Sequence, residues 1–312
     1  MKKVACVGIL VADVITKPVD DIPSKGLLSH VDAIEVYSGG NAMTASINMR
    51  KMGVESAIIG KVGQDMFGDF LEKCMAEYGV NTKGLKRDKD VQTSVSVVLS
   101  ATDGERTFLH CIGTNGTFSL DDIDWSIIED VDIVFVTGTY LLSTFDGEQT
   151  ARFLKKCKEM GKTTVLDVCW DATGRWGELL FEAMPYIDIF MPSIEEAEKI
   201  SGETDPEKIA EVFFAKGVSS VVIKLGKKGA YLRESKDAES TIIPSYTVNA
   251  VDTTGAGDSF CSGFITGIVK GLSFNQCGQF ANATGAHCVM AKGATTGIKS
   301  YEEIKKFMEE YK

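Results

Sequence analysis

The residues best placed to do chemistry lie in one run, Asp252-Thr-Thr254-Gly255-Ala256-Gly257-Asp258-Ser-Phe260, where two glycines and two carboxylates precede an apolar stretch of helical spacing. A helix start leaves backbone N–H groups unpaired at the positive end of the helix dipole, and glycine lets a phosphate approach that backbone with no side chain in the way. A carboxylate in the same turn either takes a proton from a reacting group or simply caps the helix. These nine residues alone leave both roles open. Downstream, Phe260, Phe264, Ile268 and Leu272 recur every four residues, and Gly263, Gly267 and Gly271 each stand one position before the last three of them. One helical face is therefore apolar and the adjacent row nearly bare, which predicts a helix packed very close to a neighbour. A buried helix whose first turn carries glycine and a surplus acid fits an active site better than a surface turn.

Together with Gly39-Gly40-Asn41-Ala42-Met43-Thr44-Ala45-Ser46, this run resembles the two motifs of the ribokinase-like, phosphofructokinase B-type carbohydrate kinases. The resemblance reaches from the Val4 to Leu10 segment to Ala281-Asn282-Ala283 and Gly293-Ala294, and the second motif is the more specific. Thr44 departs from the asparagine usual in the family. The resemblance implies an ATP-dependent kinase that transfers the γ-phosphate to a hydroxyl of a small sugar, with Mg2+ as cofactor. Asp258 is then the general base, and the N–H groups of Gly255, Ala256, Gly257 and Asp258 form the anion hole. A nucleoside kinase of the same family and a non-catalytic sugar- or nucleotide-binding protein of the same fold are the alternatives.

The resemblance assigns further positions, each with a plainer role beside it. Asp252 and Thr254 fall where many relatives bind K+, although Asp252 also reads as a cap. Ser193-Ile-Glu195-Glu196 resembles an asparagine-x-x-glutamate element, with Glu196 set to hold magnesium-bound water; by residue type alone the acids are ordinary first-turn residues after Pro192. Lys224, Gly226 and Gly229 match a loop lying along the nucleotide, or make a β-turn after a strand. Asn282 lines the adenine pocket or satisfies a neighbouring backbone group. Asp13, Gly39, Gly40 and Asn41 match sugar-binding positions. Relatives that phosphorylate acidic keto-deoxy sugars often carry an arginine where this chain has Asp171, in the run Asp167-Val-Cys169-Trp170-Asp171, with Arg175 close by. The acid predicts a neutral acceptor. His30, His110 and His287 are scattered and unaccompanied, so no metal or triad role is expected of them.

Short apolar runs at 131–137, 163–169, 188–191 and 220–225 alternate with amphipathic stretches, among them Phe67, Phe70, Leu71, Cys74, Met75 and Tyr78 on one helix face. This alternation predicts an α/β fold with a mostly parallel sheet that binds ligands beyond the carboxyl ends of its strands. Residues 12–37 and 91–112 break the rhythm, the second as two strands turning at Asp103-Gly104. That segment is either an edge hairpin or, as the resemblance implies, half of a small β-sheet lid on a three-layer α/β/α sandwich made of 1–11, 38–90 and 113–312. Such a lid often presents an apolar face to a second subunit, which implies a homodimer.

Composition excludes other classes. With 44% hydrophobic residues over 312 positions the chain can bury a sizeable core, and a net charge of −11 argues against nucleic-acid or anionic-membrane partners. The eight cysteines include no C-x-x-C pair and sit mostly in apolar segments, as buried thiols of a reducing compartment do. No run is long enough to span a membrane, and the start reads as a strand, so a soluble cytoplasmic protein is expected. The G-x-G-x-x-G fingerprint of nicotinamide enzymes and the P-loop are both absent.

Overall fold

In the computed structural model, which describes residues 2–103 and 105–311, the alternating runs become thirteen strands among the described residues. They are β1 (Val4–Gly8), β2 (Val11–Lys17), β3 (Ala33–Gly39), β4 (Ser56–Gly63), β5 (Asn81–Asp88), β6 (Val95–Ser100), β7 (Arg106–Cys111), β8 (Ile133–Thr139), β9 (Thr163–Val168), β10 (Ile189–Phe190), β11 (Ser220–Lys224), β12 (Ala230–Arg233) and β13 (Thr241–Ile243). Nine of them form one sheet in the order β13-β12-β11-β10-β9-β8-β1-β4-β5, parallel from β11 to β5 and antiparallel at β12 and β13.

The apolar runs are continuous because this sheet is buried on both sides. In β1, Val4 and Cys6 turn to one face and Ala5 and Val7 to the other, and all four are fully excluded from solvent. Helices Glu148–Glu159, Ile194–Ser201 and Pro206–Ala215 cover one face; Asn41–Lys51, Met66–Glu77, Ala256–Val269 and Phe274–Val289 cover the other. Tyr78, expected on the buried face of the helix at 66–77, instead follows its last residue and is exposed. No described helix is long and apolar enough to cross a membrane.

The bare glycine row has the expected use at two of its three positions. A Cβ on Gly263 would lie 2.5 Å from Thr284 Oγ1 and 2.9 Å from the Ala281 Cα, and one on Gly267 would lie 2.9 Å from Cys277 Sγ, so helix 274–289 presses directly on helix 256–269. Gly271 falls beyond the helix, where a Cβ would meet nothing. Gly263→Ala is expected to cost about 1–3 kcal/mol by overpacking. Thermal denaturation reads this directly, and an unchanged midpoint would mean that the two helices part easily.

The remaining strands form a separate four-stranded sheet, β3-β2-β6-β7, rather than an edge hairpin of the large one. β6 and β7 are antiparallel from Val95↔Cys111 to Ser100↔Arg106; of the turn expected between them, Gly104 lies outside the described residues. Laterally paired residues share a face. Val14, Val36, Val97 and Leu109 therefore occupy one face, and Tyr37, Asp13, Ser96 and His110 the other.

Candidate active site

A cavity of about 640 Å³ opens beyond the carboxyl ends of β9 and β11. The first turn of helix 256–269, the middle of helix 274–289 and the segment from Ser245 to Ala250 wall it. The helix start is shaped by Gly255, whose φ of 76° is left-handed and whose Cβ would come within 2.3 Å of the Ala294 side chain, so glycine is required on both counts. Ser259 N–H already returns to the Gly255 carbonyl at 2.8 Å. Among the described residues no protein acceptor takes the N–H of Gly255, Gly257 or Asp258. The fourth expected donor, Ala256 N–H, is bonded to the Thr253 carbonyl at 3.2 Å, because the chain turns tightly into the helix there. The expected anion hole thus has three open donors among the described residues.

Asp258 does not cap its helix. Its Oδ1 accepts from Asn41 Nδ2 at 2.7 Å, across from the N-terminus of helix 41–51, which joins the two sequence motifs in one contact. Burial pushes the Asp258 carboxyl up to about 6, with Glu196 adding to the rise, while Lys224 and Asn41 pull the other way. Asn41 Oδ1 in turn accepts from the Cys169 thiol at 3.4 Å. Both ends of the Asn41 amide are thereby engaged.

Lys224 ends β11, where its N–H bonds the Pro192 carbonyl at 2.9 Å and its backbone bridges Ser193. Its ammonium meets Asp167 Oδ1 at 2.7 Å; Asp167 is buried and Lys224 largely so. Burial works against charge on Lys224, but Asp167 and Glu196 outweigh it and lift its pKa well above the ordinary lysine value. Ser193 and Glu196 form a capping box: Glu196 N–H bonds Ser193 Oγ at 3.4 Å and Glu196 Oε2 accepts from Ser193 N–H at 2.8 Å. The plainer role is therefore real for both, yet both also line the cavity, as do Gly226 and Gly229. Asn282 lines it too, while its Nδ2 donates to the Ile243 and Pro244 carbonyls, each at 3.1 Å.

The other expected residues lie next to the cavity rather than in its wall. Asp13, on β2, packs on Gly39, where a Cβ would fall 2.2 Å from Asp13 Oδ2, and Gly40 takes a φ of 90° against the Ile9 carbonyl. Burial raises the Asp13 carboxyl to about 6, against the weaker pull of the neighbouring Ser96 hydroxyl. Asp252 Oδ1 accepts from Thr254 N–H at 3.0 Å and Oγ1 at 2.7 Å, and Oδ2 accepts from Gly293 N–H at 3.0 Å. Arg106, from lid strand β7, reaches this corner, with Nη1 donating to Thr254 Oγ1 at 2.8 Å and Nη2 3.4 Å from Asp252 Oδ1. Burial would raise Asp252, but these hydrogen bonds and Arg106 outweigh it and hold the carboxyl at about 2.

Two expectations need correction. Asp171 is buried and accepts from Thr173 N–H, Thr173 Oγ1 and Trp176 N–H, so it ties down its own loop and does not line the cavity where a substrate would meet it. His110 is not unaccompanied: its Nδ1 lies 3.0 Å from Ser96 Oγ. Asp167, Cys169 and Arg106 were missed altogether. For Asp167 a signal existed, since a lone acid in the otherwise apolar strand Thr163–Val168 requires a buried partner.

The chain matches the model of the pfkB family carbohydrate kinases over residues 1–300. It is 28% identical to a ribokinase of Haemophilus influenzae, over 88% of each chain. It is also 28% identical to a 2-dehydro-3-deoxygluconokinase of Bacillus subtilis, over 91% of this chain and 90% of that one. Its fold is that of the Arabidopsis thaliana ribokinase solved with ribose and ATP, at a TM-score of 0.87, 23% identity and 99% coverage of both chains. With a family match over nearly its whole length, this chain belongs to the pfkB family of carbohydrate kinases.

Proposed function

We propose that this sugar kinase uses Asp258 to take the proton of an acceptor hydroxyl while the oxygen attacks the terminal phosphorus of ATP. The open N–H groups of Gly255, Gly257 and Asp258 hold the phosphoryl oxygens as charge develops on them, and ADP leaves. The observation that carries this is the Asp258–Asn41 contact beside unpaired N–H donors on one wall of the cavity. The nucleotide lies along Lys224, Gly226 and Gly229 toward Asn282, and the acceptor lies between Asp13, Gly39, Gly40 and Asn41. Glu196, Asp167 and Asp258 place three carboxyl groups around one ammonium, a donor set that suits a cation-bound nucleotide better than a bare one. Magnesium bound with ATP supplies charge neutralisation there, through water held by Glu196. Potassium at Asp252 and Thr254 would take the place of the Arg106 guanidinium as the cation there, and equal rates in potassium and sodium would leave Asp252 structural.

The acceptor in this proposal is a neutral sugar, polyol or nucleoside, because Asp13 and Asp258 both present acids to it. An ADP-release screen across sugars, sugar acids and nucleosides, with Asp258→Asn as blank, tests the assignment. If no acceptor gives turnover above that blank, the chain is a binding protein that kept the fold.

We also propose a homodimer through the lid, in a reducing cytoplasmic setting that suits eight free cysteines. The outer lid face exposes Ile34 at 65% and Leu109 at 63%, beside Val36. Ile34→Asp with Leu109→Asp is expected to convert dimer to monomer in light scattering. A monomeric wild type would remove this assignment.

A further inference from the structure

The acid of the proposed reaction is the end of a three-residue relay that begins at a thiol. The Cys169 S–H donates to Asn41 Oδ1 at 3.4 Å, and Asn41 Nδ2 donates to Asp258 Oδ1 at 2.7 Å. All three residues line the cavity. Cys169 directly follows β9, and its N–H is fixed to the Thr139 carbonyl at 2.9 Å, so the backbone sets where the thiol stands. Among the described residues the Asn41 side chain has no other hydrogen-bond partner.

The thiol matters because the two ends of an amide are chemically opposite. An ionised carboxylate can only accept, so it selects Asn41 Nδ2 by itself. A protonated carboxyl can donate, and an amide turned end for end would then offer it Oδ1. That turned state favours the protonated acid, which is useless as a base. The Cys169 S–H opposes it by claiming Oδ1. A thiolate has no proton to give, but burial, followed by Asp167, Asp258 and Glu196, lifts the Cys169 pKa well above the ordinary thiol value, with Lys224 pulling the other way. Around Asp258 itself, Lys224 favours the ionised form and Glu196 the protonated one, while Cys261, on the same helix, is another thiol whose pKa is raised.

We propose that Cys169 is a positioning residue, whose S–H holds Asn41 Oδ1 and so keeps Nδ2 turned to Asp258, biasing the base toward its proton-accepting form. This rests on the reading of Asp258 as general base and adds the residue that sets its readiness. Cys169 acts through Asn41 and takes no proton itself.

The test is the pH profile of kcat/KM for the best acceptor at saturating magnesium-ATP, followed by ADP release on the full chain, for wild type, Cys169→Ala, Cys169→Val and Cys169→Ser. This ratio reports the free enzyme, the state in which the relay is made. Without the thiol donor the turned amide becomes available, and the acid limb should move up by roughly half to one pH unit, the worth of one hydrogen bond. The Ala and Val variants should therefore lose about three- to tenfold below pH 6, and the loss should shrink as pH rises and the carboxylate ionises in every variant. Val fills most of the thiol's volume, so agreement between Ala and Val separates the lost donor from lost packing. Ser keeps a donor and should restore the profile most of the way. An acid limb at one pH in all four proteins, with Asp258→Asn still inactive, overturns the inference alone, as does a loss of equal size at every pH. Wild-type turnover by Asp258→Asn, or no turnover with any acceptor, overturns the base assignment and this inference together.

Discussion

Asp258→Asn is expected to reduce turnover by about 10² to 10⁴-fold, the usual cost of losing a general base, with nucleotide affinity unchanged. Asparagine keeps an oxygen for Asn41 Nδ2 and leaves the neighbouring N–H donors in place, so only proton acceptance is lost. The pH profile carries the same signature. Because burial raises the carboxyl to about 6 and a base acts only when ionised, the wild-type rate should climb with pH through that value. The stability effect has the opposite sign from that of a salt-bridged acid. A carboxyl whose folded pKa lies above its unfolded value favours folding when protonated, and that advantage is lost as pH rises from about 4 to about 6. An amide at this position never ionises, so the variant should be at least as heat-stable as wild type at neutral pH, in line with the tension between stability and activity at catalytic sites. Wild-type turnover by a folded Asp258→Asn enzyme would make the residue a spacer and remove the central assignment.

Removal of divalent cations is the second large effect. Excess chelator should bring activity to background, and added magnesium should restore it. The cavity is lined by two lysines, Lys224 and Lys227; Lys224 is already paired with Asp167 at 2.7 Å, while Glu195, Glu196 and Asp258 add further negative charge. ATP adds several more negative charges, which repel these carboxylates unless a cation comes with them. Full activity in chelator would mean that the open N–H groups, Lys224 and Lys227 suffice, and Glu196 would then be a helix cap only.

Much of this was legible in the residues themselves. The two glycine-rich motifs marked the helix starts at 41 and 256, because glycine admits the tight turns that lead into them, and the two helix starts meet through Asn41 and Asp258. The lid segments were visible because alternation of period two interrupts the continuous apolar strands around it. What stayed hidden depended on lateral register. Sequence spacing does not reveal that Ser96 stands beside both Asp13 and His110, so His110 looked isolated. Asp171 misled for a related reason: as a position it suggests a charge facing substrate, but the chain turns back on it within five residues and consumes its oxygens. Arg106 lies 146 positions from Asp252, a separation that no local pattern bridges.

That Arg106 contact bears on how the enzyme treats water as a rival acceptor. Water is the smallest hydroxyl compound and is always present at the mouth of the cavity, so a phosphoryl group poised there is open to hydrolysis. The guanidinium fastens lid strand β7 to Thr254, one residue before the glycine that starts the anion hole. In the proposed mechanism that tether would steady the turn that aims the N–H donors, so Arg106 would favour transfer to an acceptor in the site over loss of the phosphoryl group to water.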